Sequence, residues 1–280
     1  MQTATADRPG DVLSSDNLLL LQKEVYRDSG IVLDDSKLYL LETRLAPILE
    51  EQQLRTLNDL CALLRATGGA TLRQKVIEAM TTNETLFFRD EPAFLALKKS
   101  VLPELIERRR SERKLSIWSA ASSTGQEAYS LAMILDQMNL VGWDLRILGT
   151  DLNSQVVERA RAARYRKFEI SRGLPAEYLE RYFEQQGNEW QVSDTIRKMV
   201  QFAQFDLRGS TAAFGRFDLV LCRNVLIYFD IDTKKSILKE IRGSLQQKGY
   251  LLLGCAESTL NLDNAFEKRL IDQATFYQAP

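Results

Sequence analysis

The sequence contains no histidine, and this absence excludes several classes of active site. Its 280 residues cannot build a Ser–His or Cys–His nucleophilic pair, or a zinc or non-haem iron centre with histidine ligands. Cysteine is scarce too, because Cys61, Cys222 and Cys255 are scattered and form no Cys-x-x-Cys spacing. The sequence therefore predicts neither a thiolate metal cluster nor a redox dithiol, and it is typical of a reduced, intracellular protein.

Long apolar runs and an excess of one charge are also missing. No stretch approaches the ~20 consecutive apolar residues of a membrane span, and the polar segment 1–14 lacks the apolar core of a signal peptide. The 37 Lys and Arg residues balance 38 Asp and Glu residues, which leaves no basic field to bind nucleic acid or anionic lipid. With 45% apolar residues, the composition is typical of a packed globular protein, which we expect in the cytoplasm.

Two periodicities divide the chain into two parts. Apolar residues at spacings of three and four over 16–68, followed by a helix over 71–80, predict an all-helical N-terminal domain over 1–80. From residue 92 onward strands alternate with helices, which favours a parallel sheet covered on both faces. We therefore predict an α/β fold with a helical domain at 1–80, a linker at 81–91 and a sheet domain at 92–280.

The predicted element bounds follow from apolar runs and capping residues. A helix begins near Asp90, with Asp90 as N-cap and Pro92 in its first turn, and runs to Arg110. Residues 165–199 interrupt the alternation and are predicted to form a small insertion, and the last two strands should pair as an antiparallel hairpin at one sheet edge. The predicted strands are 115–120, 144–150, 200–205, 217–222, 250–254, 268–271 and 275–278, and the predicted helices in this part include 126–138, 155–164, 176–183 and 233–245.

The first sheet strand ends in a run of small residues. Residues 119–125 read SAASSTG, which lets the backbone approach a nucleotide-like ligand at the carboxyl edge of the sheet. With Gly125 as its only glycine, the run is neither a G-x-G-x-x-G cradle nor a P-loop. Thr124 and Glu127 spell the T-x-x-E capping box, so Glu127 is either a helix cap or an acid that faces a cationic or hydroxylated ligand.

An acid follows the second sheet strand in the same way. Asp151 comes directly after the predicted strand 144–150, at a distance from the first loop that suits hydrogen bonds to both hydroxyls of a ribose. The alternative is that Asp151 caps the next helix. Asn153 is better placed for that cap, so the ribose role is favoured for Asp151.

Two more segments are rich in polar and aromatic residues. Arg223 and Asn224 follow the buried run FDLVLC, and because polar groups there need partners, a ligand site is favoured over packing. Tyr228 could be a core aromatic. In TTNETLFFRD (81–90) the aromatic pair could be a hydrophobic latch and the polar residues could be caps, so the residues alone leave this segment undecided.

Together these segments resemble the CheR family, the chemotaxis receptor glutamate methyltransferases. The similarity spans nearly the whole chain in the family's order, and several of its matches are long. The matching segments are MTTNETLFFRD (80–90), IWSAASSTGQEAYSLAM (117–133), ILGTDLN (147–153), FDLVLCRNVLIYF (217–229), GYLLLGCAES (249–258) and the helical LYLLETRL (38–45).

The resemblance implies S-adenosyl-L-methionine as methyl donor, S-adenosyl-L-homocysteine as product, and no metal. It also implies a Rossmann-like methyltransferase sheet with an all-helical N-terminal domain and a small β-rich insertion. Asp206 stands where the family usually has asparagine, so it could accept from the adenine amino group but not donate. Arg89 and Tyr228 match the positions nearest the transferred methyl and are the expected catalytic residues. The expected cofactor contacts are Asn83, Thr85, Arg89, Glu127, Asp151, Asp206, Leu207, Arg223 and Asn224.

The acceptor that the resemblance implies is a glutamate on the cytoplasmic helical bundle of a transmembrane chemotaxis receptor, which becomes a methyl ester. Glutamate is already ionised at pH 7, since its reference pKa is about 4.3. Such a transfer needs alignment and removal of water rather than a general base, so a chain without histidine can perform it. Partners of other kinds, nucleic acid and membrane insertion included, are not expected.

Receptor recognition is implied in less detail. Family members dock through basic residues of the helical domain, and Lys37 and Arg44 lie on the matching helix with Glu42 nearby, so the basic face is modest. Some members bind a pentapeptide at the receptor's C-terminus through a Gly-rich extension of the insertion. The segment 183–192 is short and has a single glycine, which predicts recognition without that peptide.

Two alternatives stay open. One is a methyltransferase of another substrate class, such as a small molecule, a protein amine or a nucleic acid, since this fold serves many substrates. The other is a non-catalytic module that senses S-adenosylmethionine and binds partners. Transfer of a labelled methyl group to receptor helices discriminates between them.

Overall fold

The structure, a computed structural model, describes residues 12–34, 38–67 and 69–280. Its contacts separate two compact units. The first unit is Met1–Thr82 with Tyr228–Asp230, and the second is Asn83–Ile227 with Ile231–Pro280. No helix among the described residues combines the length and the apolar character that crossing a membrane requires.

The first unit is helical, as the apolar spacing predicts. Its core contains Leu21, Leu45 and Leu60, each with no exposed side-chain surface. The first helix begins after the N-cap Ser14, whose side chain accepts a hydrogen bond from the backbone N–H of Asn17. It ends at Gly30, which has a left-handed backbone conformation that glycine adopts without strain. The helices in the described part are α1 (Ser15–Ser29), α2 (Tyr39–Glu51), α3 (Leu57–Thr67) and α4 (Ala70–Met80).

The second unit contains a seven-stranded, mostly parallel sheet. The strand order is β6-β2-β1-β7-β8-β10-β9, in which β10 runs antiparallel to both of its neighbours, β8 and β9. This confirms the α/β fold and the antiparallel hairpin at one edge. The strands are β1 (Lys114–Ala120), β2 (Asp144–Asp151), β6 (Val200–Gln204), β7 (Phe217–Cys222), β8 (Leu245–Leu253), β9 (Glu267–Ile271) and β10 (Ala274–Gln278).

Helices of the second unit pack on this sheet over a core of apolar side chains. Trp118, Leu219 and Phe276 have no exposed surface, and the Trp118 indole donates a 2.9 Å hydrogen bond to the Thr150 hydroxyl. The helices are α5 (Glu91–Ala96), α6 (Leu102–Arg108), α7 (Gln126–Gln137), α8 (Ser154–Ala162), α9 (Lys167–Ile170), α10 (Ala176–Tyr182), α11 (Asp194–Arg197) and α12 (Ile231–Ser244), with a π-helical turn at Leu97–Val101 and 3-10 turns at Ala212–Phe214 and Leu226–Tyr228.

The predicted insertion is β-rich. Its second sheet has three antiparallel strands in the order β3-β5-β4, and these are β3 (Arg164–Arg166), β4 (Phe183–Gln186) and β5 (Glu189–Val192). Only Gly187 and Asn188 connect β4 to β5, so the loop between these strands is as short as the sequence indicates.

The helix predicted from Asp90 to Arg110 differs from the structure. A π-helical turn at Leu97–Val101 separates α5 from α6, and the run ends at Arg108. Asp90 stands at the N-cap position, but its backbone has a φ of 69° and its side chain makes no capping hydrogen bond. The predicted capping role of Asp90 is therefore wrong, because its carboxylate bonds to groups distant in sequence instead.

Candidate functional site

The carboxyl ends of three neighbouring strands meet at the centre of the sheet. The register pairs Ala120 at the end of β1 with Thr150 of β2 on one side and with Cys222 of β7 on the other. The chain leaves β1 toward β2 and β6 and later returns to β7 on the opposite side of β1. This is the topological switch point at which doubly wound sheets bind ligands.

The loop after β1 contains the predicted small residues in a tight conformation. Ala121, Ser123 and Gly125 have φ values of 57°, 49° and 93°. At Gly125 a side chain would be strained, and its Cβ would lie 3.0 Å from both Phe202 and Ala160. The small residues therefore let the loop fold closely over the strand ends.

Glu127 does not form the capping box with Thr124. Gly125 occupies the N-cap position of α7 without a side-chain cap, and the Thr124 hydroxyl bonds to the Gln126 side chain at 2.7 Å. The residue Glu127 is 8% exposed, and its carboxylate accepts from the Ser119 hydroxyl at 2.8 Å and from Arg223 at 3.1 Å. The capping interpretation is wrong, and Glu127 is a buried acid at the start of α7 that is hydrogen-bonded to Ser119 near the end of β1.

Asp151 lies at the end of β2 and contacts the loop after β1. Its two carboxylate oxygens accept from the Ser123 backbone N–H at 2.9 Å and from the Asn153 backbone N–H at 3.0 Å. Asn153 caps α8, as predicted, because its side chain accepts from the N–H groups of Gln155 and Val156. Asp151 is thus left beside the loop after β1 rather than used as a helix cap.

Arg223 is the charged residue that links these elements. Its side chain is only 2% exposed; Nη1 donates to Glu127 at 3.1 Å and Nη2 to the Arg89 carbonyl oxygen at 2.9 Å. A second ion pair joins Arg223 to Asp90 at 3.3 Å. Arg223 therefore brings together the end of β7, the start of α7 and the segment before α5.

Asp90 and Cys255 form a pair that sequence reasoning missed. The Cys255 thiol donates to the Asp90 carboxylate at 2.9 Å, and this hydrogen bond, with burial and the charge of Asp90, raises the thiol pKa above its ordinary value. The signal in the sequence was weak, since Asp90 before a proline in the first turn is also the pattern of an ordinary helix cap.

Asn224 follows Arg223 in a left-handed conformation, with a φ of 59°. Its backbone N–H donates to Glu257 at 2.7 Å. Sequence reasoning did not single out Glu257, although it follows the end of β8 just as Asp151 ends β2. The same criterion, an acid just beyond a buried parallel strand, could have found it.

The other predicted cofactor contacts are distributed around this centre. The Asn83 carbonyl oxygen accepts from the Ser123 hydroxyl at 2.7 Å, and Arg89 donates from Nη1 to the Glu84 carbonyl oxygen at 3.1 Å. Thr85 is half-buried and Leu207 is buried.

Asp206 forms an ion pair with a neighbour two residues away. Arg208 donates from Nη2 to one carboxylate oxygen at 2.6 Å and from its backbone N–H to the other at 2.9 Å. An adenine amino group would have to share these oxygens with Arg208, so the departure from asparagine changes the electrostatics of this position as well as its hydrogen bonding.

Tyr228 belongs to the first unit, where its ring packs against the helical core. Its carbonyl oxygen accepts from the Val32 N–H at 3.0 Å. In the second unit Phe87 and Phe88 are buried; Phe87 packs edge-on against Tyr165 with ring centroids 4.9 Å apart. The aromatic pair is thus part of the second unit's own core.

The expected basic face of the helical unit is reduced further by internal contacts. Arg44 donates to the Met80 carbonyl oxygen at 2.6 Å and to the Thr82 hydroxyl at 2.8 Å. Lys37 lies outside the described residues.

The residues at the carboxyl edge fit S-adenosylmethionine. The Ser122 hydroxyl oxygen and Arg223 Nε are buried and make no hydrogen bond within the described part of the chain, so polar atoms stay available at this edge. Two buried acids, Glu127 and Asp151, provide oxygens suited to an ammonium group and to ribose hydroxyls. Among the described residues no cluster of three or more cysteines and acids could hold a metal ion.

Comparison with known proteins identifies two domains of one family. Residues 16–81 match the model described as "CheR methyltransferase, all-alpha domain", and residues 83–275 match "CheR methyltransferase, SAM binding domain". These two matches cover the helical unit and nearly all of the sheet unit in the order that the sequence motifs indicated.

Curated relatives agree with this assignment over most of their length. The "Chemotaxis protein methyltransferase 1" of Pseudomonas aeruginosa is 41% identical over 89% of this chain and 93% of its own. "Chemotaxis protein methyltransferase Cher2" of Pseudomonas putida is 38% identical over 95% of this chain and 100% of its own. A "Chemotaxis protein methyltransferase" of Vibrio parahaemolyticus is 41% identical over 85% and 87%, respectively. The chain therefore belongs to the CheR family, the S-adenosylmethionine-dependent chemotaxis protein methyltransferases, and the family resemblance of its motifs is confirmed.

Proposed function

We propose that this chain methylates glutamate side chains on the cytoplasmic helices of transmembrane chemotaxis receptors and thereby forms glutamate methyl esters. It would act as a protein-glutamate O-methyltransferase of sensory adaptation. The observation that carries the proposal is a pair of buried acids, Glu127 at the start of α7 and Asp151 at the end of β2, together with the buried Arg223, which pairs with Glu127, in a chain of this family.

We assign the cofactor to the carboxyl edge of the sheet. Glu127 would accept from the ammonium group, Asp151 from the ribose hydroxyls, and Asp206 from the adenine amino group. Asn83, Thr85, Leu207 and Asn224 would complete the contacts, as the resemblance implies. S-adenosylmethionine, when bound, supplies an electrophilic methyl group on a sulfonium.

A carboxylate acceptor fits this chain, which has no histidine to serve as a general base. Because a glutamate is ionised at pH 7, the protein need only exclude water and align the acceptor. We assign this task to Arg89, whose guanidinium can attract a carboxylate, and to Tyr228, whose hydroxyl can donate to it. The division of roles between these two residues is part of the proposal.

The experiment is transfer of a labelled methyl group to purified receptor helices. A base-labile label on glutamate is expected, and Arg89→Ala and Tyr228→Phe should each reduce its rate. Label on an amine would indicate another substrate class, and binding of S-adenosylhomocysteine without transfer would indicate a sensing module. Full transfer rates in both variants would contradict the assigned roles.

Recognition should not depend on a receptor pentapeptide. The insertion connects β4 to β5 through two residues, Gly187 and Asn188, and this short connection supports the proposal. Calorimetric titration with an NWETF-like peptide should therefore give no measurable heat, and tight binding would contradict this part of the proposal.

A further inference from the structure

One carboxylate organises the loop that follows β7. Glu257 Oε2 accepts from the backbone N–H of Asn224 at 2.7 Å and of Gly254 at 2.8 Å, and Oε1 accepts from the N–H of Val225 at 2.9 Å. Hydrogen bonds to an ionised acceptor are stronger than those between neutral groups. Two of these bonds come from the consecutive residues Asn224 and Val225, and the third comes from Gly254 after β8. Together they fix the backbone of the loop.

The two loops that Glu257 joins approach each other very closely. Cys222 at the end of β7 lies opposite Leu253 at the end of β8, so the loops leave the sheet side by side. A Cβ on Gly254 would lie 2.6 Å from the Asn224 side-chain nitrogen and 2.8 Å from Glu257 Oε2. The absence of a side chain at Gly254 is therefore a condition for this arrangement.

The loop needs such support because of its backbone conformation. Asn224 has a φ of 59°, a region that asparagine adopts more readily than most residues but that is still uncommon. Arg223, immediately before it, is buried among Glu127 and Asp90. A shift in the loop would thus displace both a strained asparagine and a buried cation.

We propose that Glu257 is a positioning residue of the cofactor site, which acts by holding Asn224 and Val225 so that Arg223 and Asn224 stay at the carboxyl edge of the sheet. This inference rests on the proposed function, since it concerns the same site. It assigns to Glu257 a role that works through the backbone of other residues and requires no contact with substrate.

The test is the variant Glu257→Gln. One acceptor oxygen is replaced by an NH2 group, which faces a backbone N–H donor and cannot accept from it. We expect the dissociation constant of S-adenosylhomocysteine, measured by calorimetry, to rise about tenfold, equivalent to the loss of one charge-assisted hydrogen bond. The KM for the receptor helices should stay unchanged, because Glu257 holds the cofactor loop rather than the receptor. The amides of Asn224, Val225 and Gly254 should exchange hydrogen faster.

Two further variants serve as controls. Glu267→Gln makes the same chemical change at an exposed position of β9, where Glu267 pairs with Arg269, and it should bind S-adenosylhomocysteine as the wild type does. Glu257→Asp keeps the charge with a shorter side chain and should restore part of the affinity. If Glu257→Gln fails to fold, the affinity of Glu257→Asp for S-adenosylhomocysteine tests the positioning role instead: a value between that of wild type and a loss of about tenfold supports it, and an unchanged affinity with unchanged amide exchange contradicts it.

The outcomes separate this inference from the proposed function. Unchanged affinity in Glu257→Gln, or unchanged exchange of the three amides, overturns the positioning role while methyl transfer by the wild type still supports the proposed function. If the wild type bound no S-adenosylhomocysteine, the proposed function and the positioning role would both be wrong.

Discussion

Two arginines, the half-buried Arg109 and the buried Arg223, bind at opposite ends of the neighbouring strands β1 and β7. Arg109 donates from Nε to Asp218 Oδ1 at 2.6 Å, while the other oxygen of Asp218 accepts from the Ser116 N–H at 2.9 Å. This group joins the segment after α6 to the amino-terminal halves of β1 and β7. Arg223, after the carboxyl end of β7, instead binds the start of α7 and the segment before α5, and its Nε makes no hydrogen bond within the described part of the chain.

The two networks differ in the elements that they connect and in the buried donors that make no hydrogen bond within the described part of the chain. The Arg109 network fixes the turn after α6 to two neighbouring strands, and Arg109 forms a further ion pair with the exposed Glu112. The Arg223 network holds loops with left-handed backbone and keeps buried donor capacity. A buried ion pair is weak evidence of stability, because its desolvation cost rivals its attraction. We therefore interpret the Arg109 network as structural and the Arg223 network as part of the ligand site.

The sharpest test of this comparison is Arg223→Met. Methionine keeps most of the volume but leaves the buried Glu127 without its cation, so the site that would receive the cofactor loses its charge balance. We expect the dissociation constant of S-adenosylhomocysteine to rise about 100-fold, which corresponds to about 2.7 kcal/mol. Calorimetry measures it, and Arg109→Met is the matched control, which should bind normally. An equal loss of affinity in both variants would break the comparison.

The second test concerns the structural network. Asp218→Ala leaves the Ser116 N–H and the largely buried Arg109 Nε without their acceptor. The free energy of unfolding should fall by about 2 kcal/mol, whereas the affinity for S-adenosylhomocysteine should not change.

Urea unfolding followed by tryptophan fluorescence measures this change, and Asp144→Ala is its control. Asp144 forms an exposed pair with Lys114 at 3.2 Å, and such pairs contribute at most about 1 kcal/mol. If Asp218→Ala weakened ligand binding without lowering stability, the two networks would not differ in the way we infer.

A third, smaller effect concerns the reactivity of the Cys255 thiol, which is hydrogen-bonded to Asp90. Asp90 accepts from the Cys255 thiol, and its charge and hydrogen bond favour the protonated sulfur, which raises the thiol pKa. Asp90→Asn should lower that pKa, so that more thiolate is present at pH 8 and alkylation by iodoacetamide becomes several-fold faster. Mass spectrometry of the Cys255 peptide measures the rate against pH.

Two buried cysteines provide the internal reference for this experiment. Burial raises the pKa of Cys61 to about 11 and that of Cys222 well above its ordinary range, so both should stay unmodified in wild type and variant alike. Faster alkylation of all three cysteines in Asp90→Asn would indicate general loosening and contradict the specific effect on Cys255.

Much of the fold could be predicted from the sequence because its signals are local. The predicted strand bounds differ from the observed ones by a few residues at most, with one exception. The observed β8 begins at Leu245 rather than at the predicted Tyr250, and its pairing with β7 has an irregular register near that start. Asn153 was predicted as a cap because a cap depends only on N–H groups two and three residues further along the chain. The π-helical turn inside the helix after Asp90 was not predicted, although Pro103 follows it by two residues and begins a new helical segment, α6, instead of continuing the run.

The parts of the site that could not be predicted depend on partners distant in sequence. Thr124 and Glu127 have the spacing of a capping box in any fold, but Arg223, 96 residues away, binds Glu127 instead. Asp90 likewise bonds to Cys255, 165 residues away. Only the assembled sheet brings these residues together, so a local motif could give the elements and the strand ends but not the network.

The smallest expected effect comes from Asp59, an exposed acid of the helical unit that contrasts with the buried acids of the sheet unit. Asp59 accepts from the hydroxyl and the N–H of Thr56, both at 2.9 Å, and these bonds lower its pKa. The stabilisation is present above the ordinary pKa and is lost as the pH falls through the lowered value. Asp59→Asn should therefore lower the unfolding midpoint at pH 7, and the difference from wild type should shrink toward about pH 3. Glu50→Gln, at an exposed position of α2, is the control. A difference for Asp59→Asn that grew in acid would contradict the stabilising role of the hydrogen bonds between Thr56 and Asp59.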